Sequence, residues 1–153
     1  MAAAVSDTAW LSAMLRFEAA LANAQARLEL IPREAADAIV AACRLERYDI
    51  EAIGVEALDS ASPVLPLVDA LRRIVGSDAA SFVHRDATSQ DAVDTAMMLV
   101  ARDALDILLT DLRLLADQCA EHTIEVVRAW VVRADDHGHL RRWSFDMAHH
   151  FAT

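Results

Sequence analysis

The sequence predicts an all-α protein. Its apolar content is mostly Ala, Leu and Val, with 56% hydrophobic residues but only 5% aromatic, and Ala and Leu are strong helix formers. Three Gly and three Pro in 153 residues are too few for the turns a β-rich chain requires. The apolar residues also recur at the helical interval of three or four along most of the chain. The length fits one average domain with a real hydrophobic core.

Residues 6–30 read as one amphipathic helix, opened by Ser6 or Asp7 and presenting Trp10, Met14, Phe17, Leu21 and Leu28. Pro32 suits the first turn of a second helix with the face Ala36, Ile39, Val40 and Cys43. A short helix is predicted over residues 50–58. Pro63 and Pro66 open another, through Leu67, Leu71 and Ile74, and Gly76 fits its stop. Residues 77–87 form a polar connection. The longest helical pattern follows at 89–122, without Gly or Pro. Its polar positions Asp91, Thr95, Arg102, Asp106, Thr110, Arg113, Asp117 and Glu121 trace one narrow stripe. A helix this apolar needs several neighbours, which this chain's short helices cannot all supply, so an oligomer or partner helices are expected. After Thr123 the composition changes. Residues 123–133 are rich in β-branched side chains, 135–139 break the pattern, and 140–153 mix Arg, Trp, Phe and His. The organisation predicted is a helical N-terminal domain (1–87), a long helix (88–122) and an atypical tail (123–153) that reads as a truncated or frame-altered end.

The charge balance is 24 acidic against 14 basic, a net of −10, and every basic residue is Arg. The absence of Lys reads as coding bias. No basic stripe is available to neutralise phosphates, so nucleic acid is excluded as a partner, as is an anionic membrane surface. No apolar run approaches the ~20 residues of a membrane span. The opening residues lack a basic leader, and a cytoplasmic location is expected. Cys43 and Cys119 fit no metal or redox spacing and are expected as buried free thiols. His137, His139, His149 and His150 invite a zinc reading, but short His-rich tracts are compositional first. No metal and no cofactor are expected.

The segment that carries chemistry is His84-Arg85-Asp86-Ala87-Thr88-Ser89-Gln90-Asp91. It stands just before the long helix, whose N-terminus presents unpaired N–H groups and partial positive charge to an anion. Thr88 and Ser89 add hydroxyls and His84 adds a titratable ring. Thr88 and Asp91 also have the spacing of a capping box. The two readings are compatible, because a Thr oxygen that accepts a backbone N–H keeps its own O–H to donate.

This run, with Asp94-Thr95-Ala96 after it, resembles the H-x-G-A-T-S-Q-D-x-x-D-T-A signature of the fumarase/aspartase superfamily. Phe17-Glu18-Ala19-Ala20-Leu21-Ala22, Ala24-Gln25-Ala26, Ile31-Pro32 and Pro63-Val64 with Pro66-Leu67-Val68 are similar to that family's opening. The likeness covers about residues 8–122. It is nearest to the bacterial 3-carboxy-cis,cis-muconate cycloisomerases, with adenylosuccinate lyases next. It implies a helical N-terminal domain, the first long helix of a tetramerising central bundle, and active sites shared among subunits. It further implies a carboxylate substrate from aromatic degradation bound by Thr88, Ser89 and Gln90, with His84 beside it as a candidate acid or base. The implied reaction passes through a carbanion stabilised as an aci-carboxylate, which needs oriented donors in a dry site.

Three departures stand out. Asp86 occupies the family's Gly position and Arg85 a common Trp position, which places bulk and negative charge beside the expected anion site. Residues 128–134 resemble the family's R-T-W-L-Q-x-A motif with Ala129 for Thr and Val132 for Gln. No Gly-Ser-Ser-x-Met-Pro-x-Lys loop, the family's source of the catalytic serine, occurs in the chain. Two functional readings follow: a truncated or degenerate cycloisomerase-like chain, inactive alone, or a non-catalytic helical oligomerisation or interaction fragment. An adenylosuccinate lyase-like fragment is the further alternative.

Overall fold

In the computed structural model, which describes residues 2–137 with side chains to Trp130, Ser6 opens the first long helix, α1 (Asp7–Arg27). The Ser6 hydroxyl oxygen accepts the N–H of Ala9 at 3.3 Å, which satisfies one of the helix's unpaired donors. At the other end Leu30 N–H donates to the Gln25 carbonyl at 2.9 Å and Glu29 N–H to Ala26 at 3.1 Å. These two bonds make a Schellman cap. It requires a left-handed residue, and Glu29 supplies it at φ 58°.

The buried face of α1 consists of Leu11, Met14, Leu15, Glu18, Ala22 and Gln25, together with Ala13. It is rotated from the face expected. Met14 is buried, Trp10, Phe17 and Leu21 flank it half-buried, and Leu28 is 69% exposed. The reason is physical: a reading built on apolar residues passes over Glu18 and Gln25. Both are buried here, each with a hydrogen bond that makes burial tolerable.

Helix α2 (Arg33–Ala42) starts after Pro32, whose φ of −59° suits the entry to a helix. It buries Ala35, Ala36, Ile39 and Ala42, while Val40 and Cys43 are half-buried. Those alanines allow close packing on α1. A 3₁₀ turn, Leu45–Arg47, follows, and the buried Tyr48 hydroxyl donates to the Ala42 carbonyl at 3.1 Å. Asp49 caps α3 (Ile50–Ser60) by accepting the Ala52 N–H at 3.0 Å. Helix α4 (Val64–Val75) buries Val64, Leu67, Val68 and Leu71, and Gly76 ends it at φ 84°, as its position predicts. The expected connection 77–87 contains a single-turn helix, α5 (Ser77–Ala80). The core is formed where α1 meets α2, α2 meets α4 and α5, and α3 meets α4.

The chain divides into two units, Met1–Ile107 and Leu108–Thr153. In the first, the start of α6 (Ser89–His137) joins the core through Ala92, Ala96 and Val100, one per turn on a single face. Arg16 on α1 pairs with Asp103 at 3.1 Å, both about half exposed. In the second unit, Leu108, Leu109, Leu112, Leu114, Leu115, Ile124 and Val127 are 40–57% exposed.

Helix α6 starts at Ser89 as predicted but continues past residue 122 to His137. The β-branched run does not interrupt it, since such residues lower helix propensity by only tenths of a kcal/mol, ~0.7 at most. Thr123 donates to the Cys119 carbonyl one turn back at 2.7 Å and so accommodates itself to the helix. Asp135 and Asp136, expected to break the pattern, lie inside it. Cys119 is exposed rather than buried, and Cys43 is half-buried. Burial, and then the charge of Glu18, push the Cys43 thiol up to about 12. His139, His149 and His150 lie outside the described residues. Among the described residues there is no strand, no group of three or more potential metal ligands, and no helix long and apolar enough to cross a membrane.

Two substitutions test this account of the fold. Leu71, 0% exposed in the core, changed to Ala should cost about 2–5 kcal/mol in urea unfolding. Ala61 closes α3 at φ 53°, so Ala61→Gly should raise stability by up to about 1 kcal/mol, because only Gly adopts that conformation without a steric cost.

Candidate functional site

Residues 81–88 form a turn held at both sides. Val83, 1% exposed, anchors it in the core. Arg72 of α4 donates to the Val83 carbonyl at 3.4 Å, and Gln25 of α1 donates to the Arg85 carbonyl at 2.7 Å. Between and after these tethers the chain turns left-handed twice, at His84 (φ 57°) and Asp86 (φ 55°). His and Asp are among the side chains that tolerate this region, which is otherwise strained for non-glycine residues. The second of these positions is where the resembled signature has Gly. Asp86 is thus accommodated by its backbone tolerance, and its side chain, 80% exposed, points to solvent near Arg85 Nε at 3.5 Å. The Arg85 guanidinium lies over the Phe82 ring, 5.7 Å from the centroid.

The left-handed turn at His84 sends the imidazole inward. Its Nδ1 lies 2.6 Å from Oε1 of Glu18, whose side chain is only 2% exposed, while the ring itself is 12% exposed. Phe17 meets the ring edge-on at 6.3 Å between centroids. His84 therefore has a positioned partner, which the sequence reading did not anticipate. Glu18 stands 66 residues away along the chain. The available signal was an acid at a core position of α1, in step with Leu11, Met14, Leu15 and Ala22.

Thr88 and Asp91 form a capping box. Asp91 Oδ2 accepts both the N–H and the O–H of Thr88 at 2.8 Å, and Thr88 Oγ1 accepts the Asp91 N–H at 3.2 Å. The Thr88 hydroxyl proton is thus engaged by Asp91, whereas the sequence reading left it available for an anion. A carboxylate can only accept, and it captures the nearest O–H. The Asp91 carboxyl is held below its ordinary value by the Thr88 N–H first and the Thr88 hydroxyl second. The Gln90 amide donates to Asp94 at 2.7 Å, along the helix surface. Ser89 is half-buried, and its hydroxyl has no hydrogen-bond partner among the described residues. The backbone N–H groups of Ser89 and Gln90 precede the first intrahelical bonds of α6. The donors directed beyond the loop are these two N–H groups and the Ser89 hydroxyl.

An imidazole clamped by a buried acid, just ahead of a capped helix N-terminus, is an arrangement suited to handling a small anion. The chain belongs to the lyase family, whose model matches residues 2–128, within the fumarase/aspartase superfamily that its loop resembles. It is 42% identical over 138 residues to a 3-carboxy-cis,cis-muconate cycloisomerase of Pseudomonas putida, covering 84% of this chain and 33% of that protein. It is 49% identical over 121 residues to a nitrosuccinate lyase of Streptomyces davaonensis, covering 77% of this chain and 25% of that one. Among solved structures, the 3-carboxy-cis,cis-muconate lactonizing enzyme from Pseudomonas putida matches with a TM-score of 0.75 and 43% identity, over 78% of this chain and 28% of that chain. The chain spans a quarter to a third of the length of these relatives.

The capping box carries its own tests. Thr88→Val removes the N-cap oxygen and should cost about 1 kcal/mol. A carboxyl held low in the folded state stabilises above its unfolded pKa, and that stabilisation is lost as pH falls through the folded value. Stability measured by urea midpoints from about pH 5 down to about pH 2 should therefore fall less in Asp91→Asn than in the parent chain. Identical slopes would show that the box contributes nothing.

Proposed function

We propose that this chain is the first part of a 3-carboxy-cis,cis-muconate cycloisomerase-type enzyme. It contributes a carboxylate-binding helix N-terminus and one imidazole to an active site that also needs residues outside this chain. In this reading residues 1–87 form the N-terminal helical domain, and α6, which runs on past residue 122 to His137, begins the bundle helix. The observation that carries the reading is the loop itself, in which a tethered His84 leads directly into Ser89 and Gln90 with donors unused by the helix. Reactions that build negative charge on a carboxylate are accelerated by donors fixed in advance where that charge develops. The Ser89 hydroxyl and the two N–H groups fit that role better than Thr88, whose hydroxyl is engaged by Asp91.

The chain holds one acid–base candidate and lacks the serine loop that the resemblance implies for the other proton transfer. Alone it is proposed to bind without turning over. The likeness to a nitrosuccinate lyase favours a second substrate, also a small carboxylate, at the same loop. A homo-oligomer is part of the proposal, because the leucines and valines of α6 beyond Ile107 are exposed over several turns. Soluble monomers rarely expose large contiguous apolar patches.

Three measurements follow. Incubated with 3-carboxy-cis,cis-muconate or nitrosuccinate, the chain alone should cause no change of ultraviolet absorbance, neither the loss expected on lactonisation nor the gain expected on elimination, and any steady turnover would refute its incompleteness. Titration with the muconate should shift the amide NMR signals of Ser89 and Gln90. Ser89→Ala should weaken that binding several-fold, and Asp86→Gly should tighten it by about two- to five-fold, the size of one exposed charge interaction. If neither variant alters binding, the loop is a helix cap only. Light scattering at micromolar concentration should give a mass above that of one chain, and a well-folded monomer would exclude the oligomer.

A further inference from the structure

We infer that Glu18 is a positioning residue for His84: its buried carboxylate holds the imidazole with the proton on Nδ1 and leaves Nε2, with its lone pair, as the atom presented to a ligand. This rests on the reading of the loop as a carboxylate site only in assigning Nε2 a use; the Glu18–His84 relation stands on geometry. Three observations carry it. The Nδ1–Oε1 separation is 2.6 Å, at the short end for an N–H donor to a carboxylate. Glu18 is 2% exposed and its Oε2 has no hydrogen-bond partner among the described residues, so the bond to His84 is the polar contact that holds this acid in the core. The imidazole is fixed in turn by the left-handed backbone of its own residue and by the edge of Phe17.

An ionised carboxylate can only accept, so Nδ1 must donate. In a neutral ring the other nitrogen is then the acceptor, and the partner of one ring nitrogen decides the chemistry of the other. Were Nδ1 the lone-pair nitrogen, two acceptors would face each other at hydrogen-bond distance in a desolvated place, which is unfavourable. Glu18 therefore makes the neutral ring a proton acceptor toward whatever meets the loop. Among the ionisable groups around the pair, Cys43 and Tyr48 feel Glu18, and Asp91 at the start of α6 feels His84. The first two are held in their neutral forms by burial, and Asp91 stays ionised. None of them competes for Nδ1.

The test is ring nitrogen NMR on the whole chain labelled with ¹⁵N-histidine, His84 being assigned by its loss in His84→Asn. The expected wild-type spectrum of the neutral ring has a protonated Nδ1 and a lone-pair Nε2. Glu18→Gln can either donate or accept, so the proton should redistribute toward Nε2. Glu18→Asp should restore part of the Nδ1–H form. A wild-type ring carrying its proton on Nε2 overturns the inference, even if no variant folds. So does a Glu18→Gln protein that keeps the parent tautomer with an unchanged far-ultraviolet spectrum. The Nδ1–H form found in a chain that binds no carboxylate would defeat the functional reading and leave this inference intact.

Discussion

A carboxyl group sits in the core-facing stripe of α1, and the N-terminal unit is arranged to make that possible. Glu18 has almost no access to water. Removing a charge from water costs several kcal/mol unless a partner meets it in good geometry. That partner comes from a loop 66 residues away, and the 2.6 Å contact ties α1 to the segment that opens α6. Gln25, two turns further along α1, repeats the device by donating to the Arg85 carbonyl. The same face that closes the core with Leu11, Met14, Leu15 and Ala22 thus also sets the position of the loop.

The consequences run outward from there. With Val83 buried and the carbonyls of Val83 and Arg85 accepting from α4 and α1, the loop has little freedom, and its two left-handed residues become the way to complete the turn. The turn delivers Thr88 to the N-cap of α6, where Asp91 closes the box. One residue later, Ser89 and Gln90 meet the exterior with donors that the helix does not use. The proposed anion site is therefore a by-product of how a buried acid, a core valine and a helix start are joined. A departure from the family signature, such as Asp86, is tolerated because the position needs a left-handed backbone more than it needs a missing side chain.

The helix that follows has a different balance. Its first turns carry small residues, Ala92 and Ala96, where they meet the other helices, and packing there is close. Beyond Ile107 the apolar side chains continue, and Leu108, Leu109, Leu112, Leu114 and Leu115 are 40–57% exposed. Helix formation in that stretch follows from local propensity, since Ala, Leu and Arg are among the strongest formers and a few β-branched residues weigh little against them. A long helix of this kind can form by its own sequence, but burying its apolar surface needs other chains or other segments.

How much of this was legible in the sequence depended on the range of the interaction. The helices, their order, the stop at Gly76, the start of α6 at Ser89 and the Thr88–Asp91 spacing are consequences of residues within one or two turns of each other, and sequence reports such relations directly. The signature at 84–91 was legible for the same reason, as was the family it resembles. The reach of α6 past residue 122 was not legible, because the change of composition there is not a change of structure. The rotation of α1, the burial of Glu18 and its bond to His84, the engagement of the Thr88 hydroxyl, and the exposure of Asp86 were decided by the tertiary structure alone. A polar residue on an apolar face can be an error, a flank or a partner. Only the arrival of a distant group at hydrogen-bond distance, in a place without water, determines which.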